Sequence, residues 1–157
     1  MGESNKVRIT LESVQDGSSY SHSYEGEWFR KAKSVFIRYS EPADEGNPKA
    51  GDVRTLLRYR PEELSIMRRG VIESEQLFTP GIRRTGYYRT PMTSFSLETD
   101  TSLLALEADS AAAEAAMDAG LPSQLPFTIE WQYEMHVSDQ MSGRFHIRLH
   151  IQEEQYS

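Results

Sequence analysis

Apolar and polar residues alternate with a period of two along most of this chain. Neighbouring side chains on a strand point to opposite faces, so the alternation predicts strands with one buried face. Val7, Ile9 and Leu11 mark the first strand, and Asp16-Gly17 reads as a hairpin turn into the second. Tyr20, His22, Tyr24, Gly26 and Trp28 share a face of that second strand. Val35, Ile37 and Tyr39 mark the third, and residues 40–52 read as a polar loop. Val53, Thr55, Leu57 and Tyr59 mark the fourth. A turn at Arg60-Pro61-Glu62-Glu63, with proline second, leads into the fifth. Gly70 bends the chain into a sixth strand ending at Leu77-Phe78, and Thr79-Pro80-Gly81 turns it into a seventh at 82–89. An eighth strand covers 93–101, with Phe95, Leu97 and Thr99 on one face; the pattern fades through Leu103 and Leu106.

Residues 107–126 depart from this rhythm. Their alanine content predicts a short helix, capped by Asp109 or Ser110 and ended by Gly120 before Pro122. With few apolar side chains, it reads as a surface helix or lid. The last two strands are the clearest: Phe127 to Val137 and Phe145 to Ile151 alternate without a break. Long strands with short turns predict an all-β antiparallel meander of about 8–10 strands closed into a barrel, with one helical insertion near 109–120. A chain of 157 residues fits a single domain over 1–157.

Composition narrows the function classes. Cysteine is absent, which removes disulfides, thiolate metal sites and cysteine nucleophiles. No apolar run reaches the ~20 residues of a membrane-spanning helix. The N-terminus lacks the apolar core of a signal peptide, so a cytoplasmic location is expected. A net charge of −7 argues against general nucleic-acid binding. Yet residues 54–89 hold eight arginines, no lysine and four acids. Arginine without lysine suggests fixed forks for carboxylate or phosphate, or pairs with acids on neighbouring strands.

Within "IMRRGVIESEQLFTPG" and "YYRTPMTSFSLETDT", several elements stand together: Arg68-Arg69-Gly70, Phe78, Gly81, Tyr88-Arg89-Thr90-Pro91, and an apolar strand from Phe95 to Thr101. This stretch, about 64–101, resembles the YwiB-like family of uncharacterised bacterial proteins. The resemblance implies a calycin-like (lipocalin-type) β-barrel and brings no catalytic residues with it. Where that family often has glycine after the Tyr-x-Thr-Pro element, this chain has Met92-Thr93-Ser94, so a differently built turn is expected.

The apolar phase puts Val7, Ile9, Leu11, Tyr24, Trp28, Leu57, Tyr59, Phe95, Leu97, Trp131, Tyr133, Phe145 and Ile147 inside. His22, Thr55, Arg68, Ser74, Gln76, Arg84 and Tyr88 fall in the same phase, while Arg69 falls outside with Met67. A buried guanidinium must be paired or hydrogen-bonded. Either protein groups satisfy Arg68, or it reaches water at a strand end, or Arg68, Arg84 and Tyr88 face a cavity and meet an anionic head group. The candidate ligand-binding set is Arg68, Arg84, Tyr88, Gln76, Tyr24, Trp131 and Tyr133. This favours a non-catalytic barrel binding a small amphipathic or anionic molecule, with no cofactor. The alternative is a protein- or RNA-interaction module using an outer patch of Arg54, Arg58, Arg60, Arg69, Arg83 and Arg89. His146 and His150 are four apart on a strand, ~13 Å, too far to share a metal, and they read as a solvated outer face. Glu73 and Glu75 are expected to pair across strands with Arg83 and Arg89. No phosphate-cradling loop or nucleophile elbow is present, and nothing nominates a nucleophile or base.

Overall fold

The computed structural model describes residues 5–42 and 52–154. Ten antiparallel strands follow one another around a closed barrel. They are β1 (Asn5–Gln15), β2 (Ser18–Lys31), β3 (Ser34–Pro42), β4 (Asp52–Arg60) and β5 (Glu63–Arg69). Then come β6 (Glu73–Phe78), β7 (Arg83–Arg89), β8 (Ser94–Ala108), β9 (Phe127–Val137) and β10 (Gln140–Glu153). Each pairs with its sequence neighbours, and β1 pairs with β10 to close the ring. Closure covers most of the sheet edge, the standing hazard of an antiparallel sheet, leaving among the described residues the part of β2 before Gly26. The expected all-β meander is therefore the observed fold. Most of the polar loop expected at 40–52, its residues 43–51, lies outside the described residues.

The turns alternate between the two ends. At one end lie the β1–β2, β5–β6, β7–β8 and β9–β10 turns; at the other lie β2–β3, β4–β5, β6–β7 and the 109–126 segment. The helix of that segment lies on the surface as expected, with Ala113 its one buried residue, while the turn after it plugs the end. The helix α1 (Ala111–Ala115) is shorter than expected, with Ser110 accepting from the Ala113 N–H at 3.0 Å. Ala119 and Gly120 both take positive φ, so the chain makes a tight turn closed by paired Asp118–Leu121 backbone bonds of 2.9 Å. This turn delivers Leu121, 2% exposed, into the core cluster that also holds Trp28, Phe127 and Leu64. Arg30 on β2 fastens the segment through Ser123 Oγ at 2.9 Å and Asp118 Oδ2 at 3.3 Å.

Two irregularities set what faces inward. β8 runs through to Ala108 because an extra residue at Ser102 shifts its register on β9. Thr101 opposes Tyr133 before the bulge, and Leu104 opposes Trp131 after it, so the inward phase changes parity. A single period-two pattern could not extend across that point. The second is at Gly86, where an added Cβ would lie 2.0 Å from the Glu75 carbonyl oxygen. The β6–β7 ladder holds only Glu73↔Arg89, Ser74↔Tyr88 and Glu75↔Tyr87. Beyond it, the Thr99 hydroxyl on β8, opposite Arg84 on β7, donates to the Leu77 carbonyl on β6. Met92-Thr93-Ser94 turns without glycine because the Thr90 hydroxyl accepts from the Met92 and Thr93 N–H groups at 3.2 and 3.1 Å.

Among the described residues, no helix is long and apolar enough to cross a membrane, and no three His, Cys, Asp or Glu side chains gather to hold a metal.

Candidate functional site

The core does not fill the barrel. Towards the unplugged end lies an interior cavity of about 330 Å³. Its deep wall is Leu57, Ile66, Trp131, Ile147 and Leu149, and its upper wall includes Tyr39, Arg68, Ser74, Tyr88, Phe95 and Tyr133. Aromatic rings line it in stacked pairs: Tyr133 on Phe145 at 4.9 Å and Tyr88 on Phe95 at 5.3 Å. A small barrel either packs its interior or holds one small molecule, and this one leaves space at the lower end of the ~300–1,000 Å³ typical of ligand pockets.

Arg68 is the inward arginine of the pair. In register it opposes Thr55 on β4 and Ser74 on β6, both buried inward residues. Arg69 turns outward and donates to the Tyr87 hydroxyl at 3.1 Å. Gly70 follows because a Cβ there would press to 2.7 Å against the Asp52 carbonyl, so the β5–β6 turn can lie against the start of β4. The ion-pair partner of Arg68 is Glu41, at 3.9 Å from Nη2 and beyond hydrogen-bond length. Glu41 Oε1 accepts instead from the Thr55 hydroxyl at 3.3 Å. Arg68 Nε is buried with no hydrogen-bond partner among the described residues. The indole N–H of Trp131, on the cavity wall, is likewise buried and unpartnered.

Burial drives the Tyr39 phenol far above its ordinary pKa, and the Glu41 carboxylate adds to the rise while Arg68 opposes it. Burial drives the Tyr133 phenol up as well, against the opposing pull of Arg68 and a Gln76 hydrogen bond. Both rings therefore stay neutral at any working pH. The site offers one permanent cation and an aromatic wall, while Glu41 accepts from Thr55.

The predicted ligand set divides. Arg68, Gln76, Tyr88, Trp131 and Tyr133 meet around the cavity. Arg84 does not. It sits towards the plugged end of β7, donates to Thr79 Oγ1 at 2.7 Å and lies 3.6 Å from Glu63. Alternation gives a side chain's face but not its height in the barrel, and height separates Arg84 from Arg68. Tyr24 packs on Tyr39 at 4.7 Å without lining the cavity. His22 is exposed, because β2 reaches β3 only from Gly26 onward and residues before it pair with β1 alone. Glu41 and Tyr39 were missed as site residues. Their signal was the Val35-Ile37-Tyr39 alternation, which β3 extends through Glu41 into the assumed loop.

The outer arginines are dispersed. Arg58 and Arg60 both bind Glu63, at 3.2 and 3.1 Å. Burial raises the Glu63 carboxyl, but the Arg60 hydrogen bond and the nearby Arg84 and Arg58 charges outweigh it and hold it below the usual range. Arg83 bonds Asp100 at 2.6 Å and Arg89 bonds Glu73 at 3.3 Å. The expected Arg89–Glu73 pair thus forms, while Arg83 turns to β8 rather than to Glu75. Arg54 and Arg69 face each other across β4 and β5. They flank a more open groove of about 680 Å³ on the outer wall, floored by Phe29, Phe36, Leu56 and Met67. The two histidines of β10 are networked, not merely solvated. His146 contacts Glu130 at 2.5 Å. His150 contacts Glu12 through Nε2 and the Thr128 hydroxyl through Nδ1 at 2.8 Å, and Thr128 contacts Asp109 at 2.5 Å.

A closed ten-stranded antiparallel barrel, plugged at one end and hollow at the other, is the class of protein that this fold and site define. Residues 6–149 match the family described as a domain of unknown function, DUF1934, and the chain belongs to that family. The fold is that of the crystal structure of the ywiB protein from Bacillus subtilis, with a TM-score of 0.74 at 19% identity over 98% of this chain and 96% of that one. The resemblance read from residues 64–101 is borne out. No curated protein matches the sequence.

Proposed function

We propose that this protein binds a small amphipathic molecule inside its barrel and does no chemistry on it. The observation that carries the reading is the half-filled interior: a cavity of about 330 Å³ with an aromatic wall, and in that wall Arg68, 36% exposed, whose Nε has no hydrogen-bond partner among the described residues. Ligand pockets combine apolar walls with a few oriented polar groups in this way. Arg68 lies one residue from the end of β5, so the polar end of the ligand sits near the mouth and its apolar body reaches down to Trp131 and Leu149. The mouth itself is apolar. Of the seven large hydrophobic side chains exposed among the described residues, six (Val14, Tyr20, Val71, Met92, Phe95 and Met141) lie toward that end.

The test is a titration with the dye 1-anilinonaphthalene-8-sulfonate, followed by its fluorescence, on the native protein and on Ser74→Phe. Ser74 is buried on the cavity wall, and a phenyl ring there occupies space the dye needs. Saturable one-to-one binding that Ser74→Phe removes, at an unchanged unfolding midpoint, supports the reading. Equal binding by both proteins would place the dye elsewhere and overturn it.

A further inference from the structure

We infer that the polar end of the ligand is a single carboxylate, and that Glu41 sets the limit of one negative charge. The inference rests on the cavity-binding reading and goes beyond it by fixing the chemistry of the ligand head. Three observations lead there. The first is donor surplus. Arg68 lines the cavity with its side chain 36% exposed and its carboxylate neighbour beyond hydrogen-bond length at 3.9 Å, while the buried Tyr39 and Tyr133 phenols stay neutral, so neither becomes an anionic acceptor. A ligand that completes this site brings acceptors.

The second is the shape of the donor. A guanidinium offers parallel N–H groups that match the two oxygens of a carboxylate, and such charge-assisted bonds are roughly twice as strong as neutral ones. An amide head offers one carbonyl oxygen to the same fork and returns an N–H₂ donor to a site already rich in donors.

The third is Glu41. Its carboxylate lies 3.9 Å from Arg68 Nη2, and its Oε1 accepts from Thr55. It stands beyond hydrogen-bond length from the guanidinium yet shares its charge. A monoanion completes the cation; a dianion brings its second charge against Glu41, where like charges at close range oppose binding. The stacked rings Tyr133–Phe145 and Tyr88–Phe95 favour a flat body, so the assigned class is the aromatic monocarboxylate of modest size.

The experiment compares three ligands with one phenylpropyl body and different heads by calorimetry: 4-phenylbutyrate, 4-phenylbutyramide and 3-phenylpropyl phosphate. The expected result is 4-phenylbutyrate binding about tenfold or more tighter than either of the others. Arg68→Gln should abolish its advantage over the amide. Glu41→Gln should narrow or reverse its advantage over the phosphate, and this second variant decides the matter if Arg68→Gln does not fold. Amide binding equal to carboxylate, or phosphate binding tighter in the native protein, would overturn the charge assignment while leaving a cavity that binds. No binding by any of the three would overturn the assignment and the cavity reading together.

Discussion

Replacing Arg68 by methionine should make the ligand-free protein more stable, not less. The wild-type guanidinium carries a buried Nε without a partner among the described residues, and such a group costs on the order of 1–3 kcal/mol. Against this stands the Glu41 ion pair. At 3.9 Å, on a side chain 36% exposed, it contributes at most about 1 kcal/mol. Methionine keeps most of the aliphatic stem in place against Ile66 and Leu57, and adds no polar group. Glu41 retains its Thr55 hydrogen bond. The balance is a gain of about 1 kcal/mol, which for a barrel of this size raises the unfolding temperature by roughly 2–4 °C. Urea denaturation at neutral pH, followed by tryptophan fluorescence, reads it directly. Ligand binding should weaken in the same variant, the usual exchange of function for stability at a binding site. A loss of more than about 1 kcal/mol would refute the reasoning, because it would make Arg68 a satisfied structural residue.

The other predictions concern the scaffold. Gly86→Ala should cost about 1–3 kcal/mol or more, because its Cβ meets the Glu75 carbonyl at 2.0 Å. Gly17→Ala, at φ 90° with open space around it, should cost only about 1 kcal/mol, and paired denaturation curves would show the order. Leu121→Ala should cost about 2–4 kcal/mol in the same assay if 109–126 is an integral plug; a change below 0.5 kcal/mol would make it a loose cover. Glu63→Gln should destabilise the protein at pH 7. A carboxyl held below its ordinary value in the folded state stabilises above its unfolded value near ~4.3 and loses that effect as pH falls through the folded value. Wild type and variant should thus converge in stability only in the acid range below about pH 4, and convergence already at pH 6 would contradict the assignment. Thr128→Val should cost about 1–2 kcal/mol by breaking the Asp109–Thr128–His150 chain, read from the unfolding midpoint.

Most of the barrel was legible because one face of each strand is buried, and period-two alternation reports that directly. Val7-Ile9, Leu57-Tyr59 and Phe127 to Tyr133 all fall where their phase puts them. Legibility failed where local geometry breaks the period. The bulge at Ser102 hides the inward turn of Leu104 and Leu106, and the polar look of residues 40–42 hides the last inward rung of β3. The candidate site was half legible. Phase found Arg68, Gln76, Tyr88, Trp131 and Tyr133, all of which line the cavity. It could not separate Arg84 from them, since two residues can share a face and sit at opposite ends of a barrel. It put Glu73 and Glu75 with Arg83 and Arg89, of which Arg89–Glu73 forms, but it did not assign Glu63 to Arg58 and Arg60 or Asp100 to Arg83, because those pairings depend on register.

The central claim, that the barrel interior is the binding site, is tested most directly by a methyl-resolved NMR titration with 4-phenylbutyrate. The account predicts shifts at the methyl groups of Leu57, Ile66, Leu97, Ile147 and Leu149, which line the cavity. It predicts no shift at Leu121 in the plug or at Leu56 and Met67 in the outer groove. Shifts confined to Leu56 and Met67, with the interior methyls unmoved, would contradict it.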